Sequence, residues 1–224
     1  MITNISFDLW LTLIKSHPSF KIQRAQMIAD SYNPDGLSVS KIETYIRDQD
    51  KVFDRHNEII GKKIPAVEMY FRILKGISRN SENVSMETAQ RLEEQSNELF
   101  IEYCPQLLND SVPYILEQLR EDGYVLNLAS NTGFIEGKTI RKVLEKLGIL
   151  RHFLFYIFSD EVNASKPSPH FFQRVYDEIN VQKNQVLHIG DNPKTDYKGA
   201  LDFGFEALLI TNTNYTLNDV KSRL

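Results

Sequence analysis

From residue 105 onward the chain alternates helical and extended patterns with few exceptions, and that alternation constrains the fold more than any other feature. Helices are predicted over 112–121, 136–147, 169–179 and 195–203, with strands over 124–129, 155–158, 186–189 and 206–210 between and after them. Short apolar strands joined through helices make a parallel sheet covered on both faces, so the expected fold class is α/β, a doubly wound, Rossmann-like sheet. Gly123, Gly148 and Gly204 follow helices where a left-handed residue ends them cheaply. Another strand is expected near the start, over 4–8.

The strand ends carry the chemistry. The run Val186-Leu-His-Ile-Gly190 leads into Asp191, and Asp196 follows five residues later. Carboxylates placed so emerge at the carboxyl edge of a sheet, where open parallel sheets bind ligands. Hard oxygen donors in this number suit magnesium, Mg2+, which takes one or two carboxylates, waters and substrate phosphate oxygens. Asn4-Ile-Ser-Phe-Asp8 ends a strand on another Asp, which can serve as metal ligand and nucleophile. A third strand ends in Ser130-Asn131-Thr132-Gly133, and the fourth run leads into Lys166-Pro167.

Asp8, Ser130, Lys166 and Gly190-Asp191 with Asp196, in this order on strand ends, resemble the haloacid dehalogenase-like hydrolase superfamily. The resemblance covers residues 1–15 and 107–224. It implies that Asp8 attacks phosphorus to form an aspartyl-phosphate, with Mg2+ held by Asp8, Asp191 and the backbone carbonyl of Trp10, and Asp196 supporting the metal shell. Ser130 and the amide of Asn131 would bind phosphoryl oxygens, Lys166 would add charge and anchor Asp8, and Thr12 would donate to Asp8 or its loop. Ser130-Asn-Thr-Gly is also an ordinary helix start.

Trp10 departs from the pattern. Phosphatases of the superfamily carry at this position a second Asp that protonates the leaving group and then activates water. Loss of such a group costs about 10²- to 10⁴-fold. Four readings follow: a magnesium-dependent phosphatase for good leaving groups; a dehalogenase, whose aromatic residue at this position matches Trp10 but whose last motif lacks Gly190-Asp191; a phosphoryl transferase; or a binding protein with the same fold. Trp10 could equally pack against neighbouring helices or stack on a substrate.

Residues 16–106 read as all-helical, which the resemblance makes a cap inserted after the first strand. Ile42, Tyr45, Ile46, Gln49, Val52, Phe53, His56, Ile59 and Ile60 define the apolar face of one long helix, capped by Ser38 or Ser40 and ended by Gly61. Arg47, Asp48, Lys51, Asp54 and Arg55 are expected on its solvated face. Shorter helices are expected over 20–32, 65–74 and 86–103. His17 and Lys21, just past the first motif, are candidates to see a cleft, and His188 reads as a core histidine.

With 224 residues the chain can bury roughly 70% of its unfolded surface as one domain with an insert. A net charge of -4 offers no basic excess for nucleic acid. The single Cys104 excludes an internal disulfide framework and reads as a small hydrophobe. Neither a leader pattern nor an apolar run of membrane length stands out, so a cytoplasmic protein is expected; a small, phosphorylated metabolite as substrate is what the resemblance implies. The tail 211–224 is polar and suggests no structure.

Overall fold

The computed structural model describes residues 1–33, 35–211 and 217–224. Strand β1 (Asn4–Phe7) runs at the centre of a five-stranded parallel sheet. A two-residue strand β2 (Ile14–Lys15) follows, then helices α1 (Phe20–Ser31), α2 (Val39–Ile60), α3 (Ala66–Ile77) and α4 (Met86–Glu102). The chain returns through β3 (Gln106–Leu107), antiparallel to β2 with Ile14 opposite Leu107. Thereafter come α5 (Val112–Glu121), β4 (Val125–Ser130), α6 (Gly137–Lys146), β5 (Phe155–Phe158), the short α7 (Ser159–Val162), α8 (Pro169–Asp177), β6 (Val186–Gly190), α9 (Gly199–Phe203) and β7 (Glu206–Leu209). The sheet order is β5-β4-β1-β6-β7. Winding outward from β1 in both directions is what a doubly wound sheet does, and the crevice beyond β1, between β4 and β6, is its switch point.

Alternation along the strands explains the two faces. Ile5, Phe7, Leu126 and Leu128 point to the side covered by α5 and α6, while Ala129 and Val186 pack with Phe171, Phe172 and Ala200 of α8 and α9. Ser6 stands in register with Asn127 on one side and His188 on the other, so a buried polar row crosses the middle of the second face.

The helical segment has its own apolar cluster, in which Ile42, Ile46 and Phe53 of α2 meet Met69, Tyr70 and Ile73 of α3 and Leu92 of α4. Ser38 caps α2 by accepting from the Lys41 amide, worth roughly 0.5–2 kcal/mol. Gly61 ends it with φ of 72°. Because Ser40 lies inside the helix, the alternative cap does not form. Periodicity assigned too wide an apolar face: Val52, Ile59 and Ile60 are exposed, and the buried positions are Ile42, Ile46, Phe53 and Asn57. The carboxyl-terminal turns of α2 overhang a cleft rather than packing on neighbours, so apolar spacing there reports no core.

Two further expectations change. In place of one helix over 195–203, Pro193–Lys198 forms a wider π-type turn that passes into α9. Asn192 caps that turn through its side chain, accepting from the Lys194 and Thr195 amides. The tail is not structureless where described: Leu217–Arg223 form a 3-10 helix, Leu217 and Val220 are buried, and Lys221 pairs with Asp122 at 2.6 Å. Residues 212–216 of that tail lie outside the described residues. Among the described residues no helix is long and apolar enough to cross a membrane.

Candidate active site

Asp8 emerges from the carboxyl end of β1, at the switch point, with its amide bonded to the Ile189 carbonyl at 2.8 Å. Lys166, on the loop after α7 and joined to Pro167 by a cis peptide, reaches across beneath it. Its ammonium donates to Asp8 Oδ1 at 2.7 Å and to the Ala129 carbonyl at 2.8 Å, and lies 2.6 Å from Asp196 Oδ1. Three partners exhaust an ammonium's three protons, which is how a lysine only 1% exposed stays charged. Burial alone would lower its pKa, but Asp196 and Asp8 together hold it above the ordinary lysine value.

Asp196 is fixed from several sides. The Asn192 amide donates to its Oδ2 at 3.0 Å, and His188 Nε2 lies 3.5 Å from Oδ1. His188 Nδ1 shares a hydrogen bond of 3.1 Å with Ser6 Oγ, so the histidine does sit in the core, yet it also steadies a site carboxylate. Burial would raise the Asp196 pKa, but Lys166, with His188 close by, holds it well below the carboxylate range. The fold of this turn depends on Gly190, where a Cβ would come within 2.4–2.5 Å of the Asp196 carboxyl.

Asp191 has no side-chain partner among the described residues. Oxygens of Asp8, Asp191 and Asp196 lie within 4.8 Å of one another. Desolvation pushes Asp8 up to about 7 and Asp191 up to about 6, and nearby Asp196 adds to both. Lys166 supplies a single positive charge to three carboxylates. The donor chemistry therefore suits a hard divalent cation, which would relieve the excess negative charge.

A stability measurement tests this charge balance. Asp8 and Asp191 bind protons more tightly in the folded than in the unfolded state, so the metal-free protein should lose stability as pH rises from about 4 through about 7. Asp196 acts oppositely, but its contribution is complete above its unfolded value of 3.8. Thermal unfolding in chelator should show Tm falling across that window, with added Mg2+ recovering the loss at pH 8. A flat profile without metal would refute the charge balance.

Other expected residues are placed as follows. Thr12 is buried, with Oγ1 a long 3.4 Å from Asp8 Oδ2. Ser130 is also buried and donates to the Asn131 carbonyl at 3.1 Å. It is not among the residues that line the cavity. The Asn131 side chain clasps the Lys166 backbone, donating to its carbonyl at 3.0 Å and accepting from its amide at 2.8 Å. Trp10 packs on the helical segment, its ring meeting Phe100 of α4 edge-on at 6.1 Å, and it also lines the cavity. Leu11 beside it holds φ of 56°, unusual for a residue with a Cβ.

That cavity, of about 450 Å3, lies between the sheet edge and the helical segment. Lys21 lines it; His17 does not, turning instead to accept from the Ser19 amide. Arg24, Asp50, Asp54 and Glu58 also line it and were not singled out as site residues. Asp54 in particular faces the cleft rather than an outward solvated face. The spacing of four among Asp50, Asp54 and Glu58 along α2 is the available signal, but periodicity does not say which polar face looks inward. Glu58 pairs with Lys194 at 2.5 Å, and the Ser165 amide donates to the Gly61 carbonyl at 3.0 Å, so the end of α2 rests directly on the site loops.

With sheet order, strand-end aspartates and buried lysine in place, comparison with known proteins gives a family. The chain belongs to the haloacid dehalogenase-like hydrolase family, whose model matches residues 5–210. It is 30% identical over 128 residues to (S)-2-haloacid dehalogenase 2 of Pseudomonas sp. (strain CBS-3), covering 55% of this chain and 54% of the relative. It is 23% identical over 213 residues to phosphoglycolate phosphatase of Vibrio parahaemolyticus, covering 92% of this chain and 82% of that one. Among solved structures, a HAD-hydrolase, YfnB of Bacillus subtilis, bound to magnesium, superposes with a TM-score of 0.74 at 17% identity, over 96% of this chain and 92% of the other. Against the curated relatives matched at 30% identity, the chain spans about half of the relative's length or less.

Proposed function

We propose that this chain is a magnesium-dependent phosphatase acting on a small phosphorylated metabolite through an aspartyl-phosphate on Asp8, with residues 16–106 serving as a cap over the site. The observation that supports it best is the position of Asp8 at the switch point, bonded to Lys166 at 2.7 Å and clustered with two further carboxylates at the floor of a cavity between the sheet edge and the helical segment. Asp8, Asp191 and the Trp10 carbonyl would hold the metal, with Asp196 supporting them. When bound, the cation offsets the charge of carboxylate and phosphate and keeps the phosphoryl group in line.

The rest of the chemistry belongs to the chain. Lys166 orients one Asp8 oxygen and leaves the other facing the cavity. Attack forms the Oδ–P bond as the P–O bond to the leaving group breaks, and the leaving group departs with the electron pair. Trp10 cannot supply a proton at that moment, so acyl or aryl phosphates, which leave as stabilised anions, react best. Water then attacks phosphorus, regenerating Asp8. The Asp8 Oδ–P bond breaks as the new P–O bond forms, and the water's proton leaves with the phosphate product, because Asp191 is taken up by the metal and Asp196 is committed to Lys166 and the Asn192 amide.

Phosphate release from an aryl phosphate, with and without Mg2+ and beside Asp8→Asn, tests the proposal. Metal-dependent release that disappears in the variant is expected. Release that persists in Asp8→Asn would remove Asp8 from the chemistry. A dehalogenase reading has an observation of its own, Trp10 at the cavity wall together with the 30% identity to a 2-haloacid dehalogenase. Halide release from 2-chloropropionate without metal, and no phosphate release, would decide for it.

A further inference from the structure

The cavity wall opposite Asp8 carries charges of both signs that do not pair with each other. On α2, Asp50 and Asp54 lie four residues apart and both line the cavity. Neither carboxylate has a hydrogen bond or a close ion pair among the described residues. Arg24, Lys21 and Lys63 act on Asp50 from farther off, and desolvation still raises its pKa. Asp54 is reached by water at the cleft wall, yet desolvation, with Asp50 and Glu58 beside it, pushes it up to about 7. Lys63 is turned away, its ammonium donating to the Ile64 carbonyl and to Met69 Sδ.

Arg24, on α1, is the opposite charge. It is 6% exposed, lines the same cavity, and its Nε finds no acceptor among the described residues. Its guanidinium lies 4.7 Å from the Phe134 ring centre and 5.3 Å from that of Phe20, and Tyr70 is its polar neighbour. Asp50 converges on the same place: its Oδ1 is 3.8 Å from where a Cβ on Gly133 would stand. Asp50 and Arg24 therefore flank Gly133 and Phe134, two and three residues past Asn131 in the loop that leaves β4.

Burying an arginine with an unmet donor is costly, and so is crowding two carboxylates without a cation. Side chains serving only the fold would be expected to close into an ion pair. These stand apart across a space open to the cavity, and one ligand carrying both charges would complete both sides.

We propose that the cavity selects a substrate whose end remote from Asp8 is an amino acid group, its ammonium seated by Asp50 and Asp54 and its carboxylate by Arg24. This rests on the phosphatase reading for the other end, where the phosphoryl group meets Asp8. The specificity comes from leaving the buried Arg24 or the half-buried Asp50 unmet when a substrate lacks either group, because the unpaired protein group is penalised.

The test uses O-phosphoserine, glycerate 3-phosphate and ethanolamine phosphate as probes, because the second replaces the ammonium with a hydroxyl and the third lacks the carboxylate. Each competes against an aryl phosphate on the wild-type protein with Mg2+, and each is titrated directly into Asp8→Asn by calorimetry. O-Phosphoserine should bind at least tenfold more tightly than either analogue in both formats, and Asp54→Asn and Arg24→Gln should each erase the corresponding preference. Equal binding of the three probes, or tighter binding of glycerate 3-phosphate, would overturn the proposal. The wild-type comparison decides even if a variant fails to fold. Failure of the phosphatase reading is seen separately, as absence of aryl phosphate release by the wild-type protein.

Discussion

Replacing Lys166 with methionine is expected to lower both stability and turnover further than any other single change in the core. The ammonium lies between Asp8 and Asp196, at 2.7 and 2.6 Å, and all three groups are buried. Methionine fills much of the same volume but leaves two carboxylates facing each other without a counter-charge. Breaking a buried pair in this way costs about 3–5 kcal/mol. For a chain of this size that corresponds to a fall in Tm of roughly 10 °C. Turnover should drop by about 10³-fold or more, since Asp8 loses its orientation and the developing charge loses its partner. Arginine should not rescue, because its planar fork does not fit a pocket shaped for one nitrogen with three acceptors. Protonating the carboxylates relieves the crowding, so the stability deficit should narrow as pH falls, Asp8 taking up its proton more readily once Lys166 no longer holds its pKa down. A folded Lys166→Met protein with activity within tenfold of wild type would contradict this account of the site.

Restoring a carboxylate at the position of the tryptophan should work in the other direction. Trp10→Asp places an acid and base beside Asp8, where the phosphatase reading lacks one, and should raise turnover of alkyl phosphates by about 10²-fold or more. Aryl phosphates, which need no proton to depart, should gain little, so the alkyl-to-aryl ratio is the informative quantity. The change also removes the contact between Trp10 and Phe100. Trp10 is half-buried, so the loss should fall below the roughly 3–5 kcal/mol seen for fully buried aromatic truncations. Melting curves read beside the kinetics separate an unfolded variant from an inactive one. An unchanged ratio in folded protein would show that the missing acid does not limit the rate.

What could be read in the sequence was whatever depends on the ends of strands. Asp8, Lys166, Asp191 and Asp196 are scattered over nearly the whole chain, yet a parallel sheet brings strand ends to one edge, and the alternation of helix and strand announces that sheet. Faces of helices were harder. Spacing puts Ile59 on the face of Ile46 and Phe53 and Asp54 on the solvated one, but beyond Phe53 the helix α2 leaves the helical cluster and hangs over the site. The direction in which a polar stripe faces depends on the tertiary partner, which spacing does not encode. Arg24 was silent for the same reason, since one arginine in an amphipathic helix reads as surface until Phe20 and Phe134 are seen to enclose it. The β2 and β3 strands, two residues each, are too short for any periodic signal.

Those two short strands have a consequence for how such a chain can change over generations. Ile14 and Leu107 are paired neighbours, so the outgoing and returning chain stand side by side, about 5 Å apart at their Cα atoms as in any antiparallel pair. A tight hairpin turn could join them without disturbing β1 or the strands around it. Everything between leaves and returns at two adjacent points and keeps an apolar cluster that only Phe134 joins from outside, with Glu58 and Gly61 touching the site loops besides. Lineages could thus lengthen, shorten or exchange the intervening helices while inheriting the strand-end chemistry intact, so that novelty in what is recognised need not put at risk the groups that react.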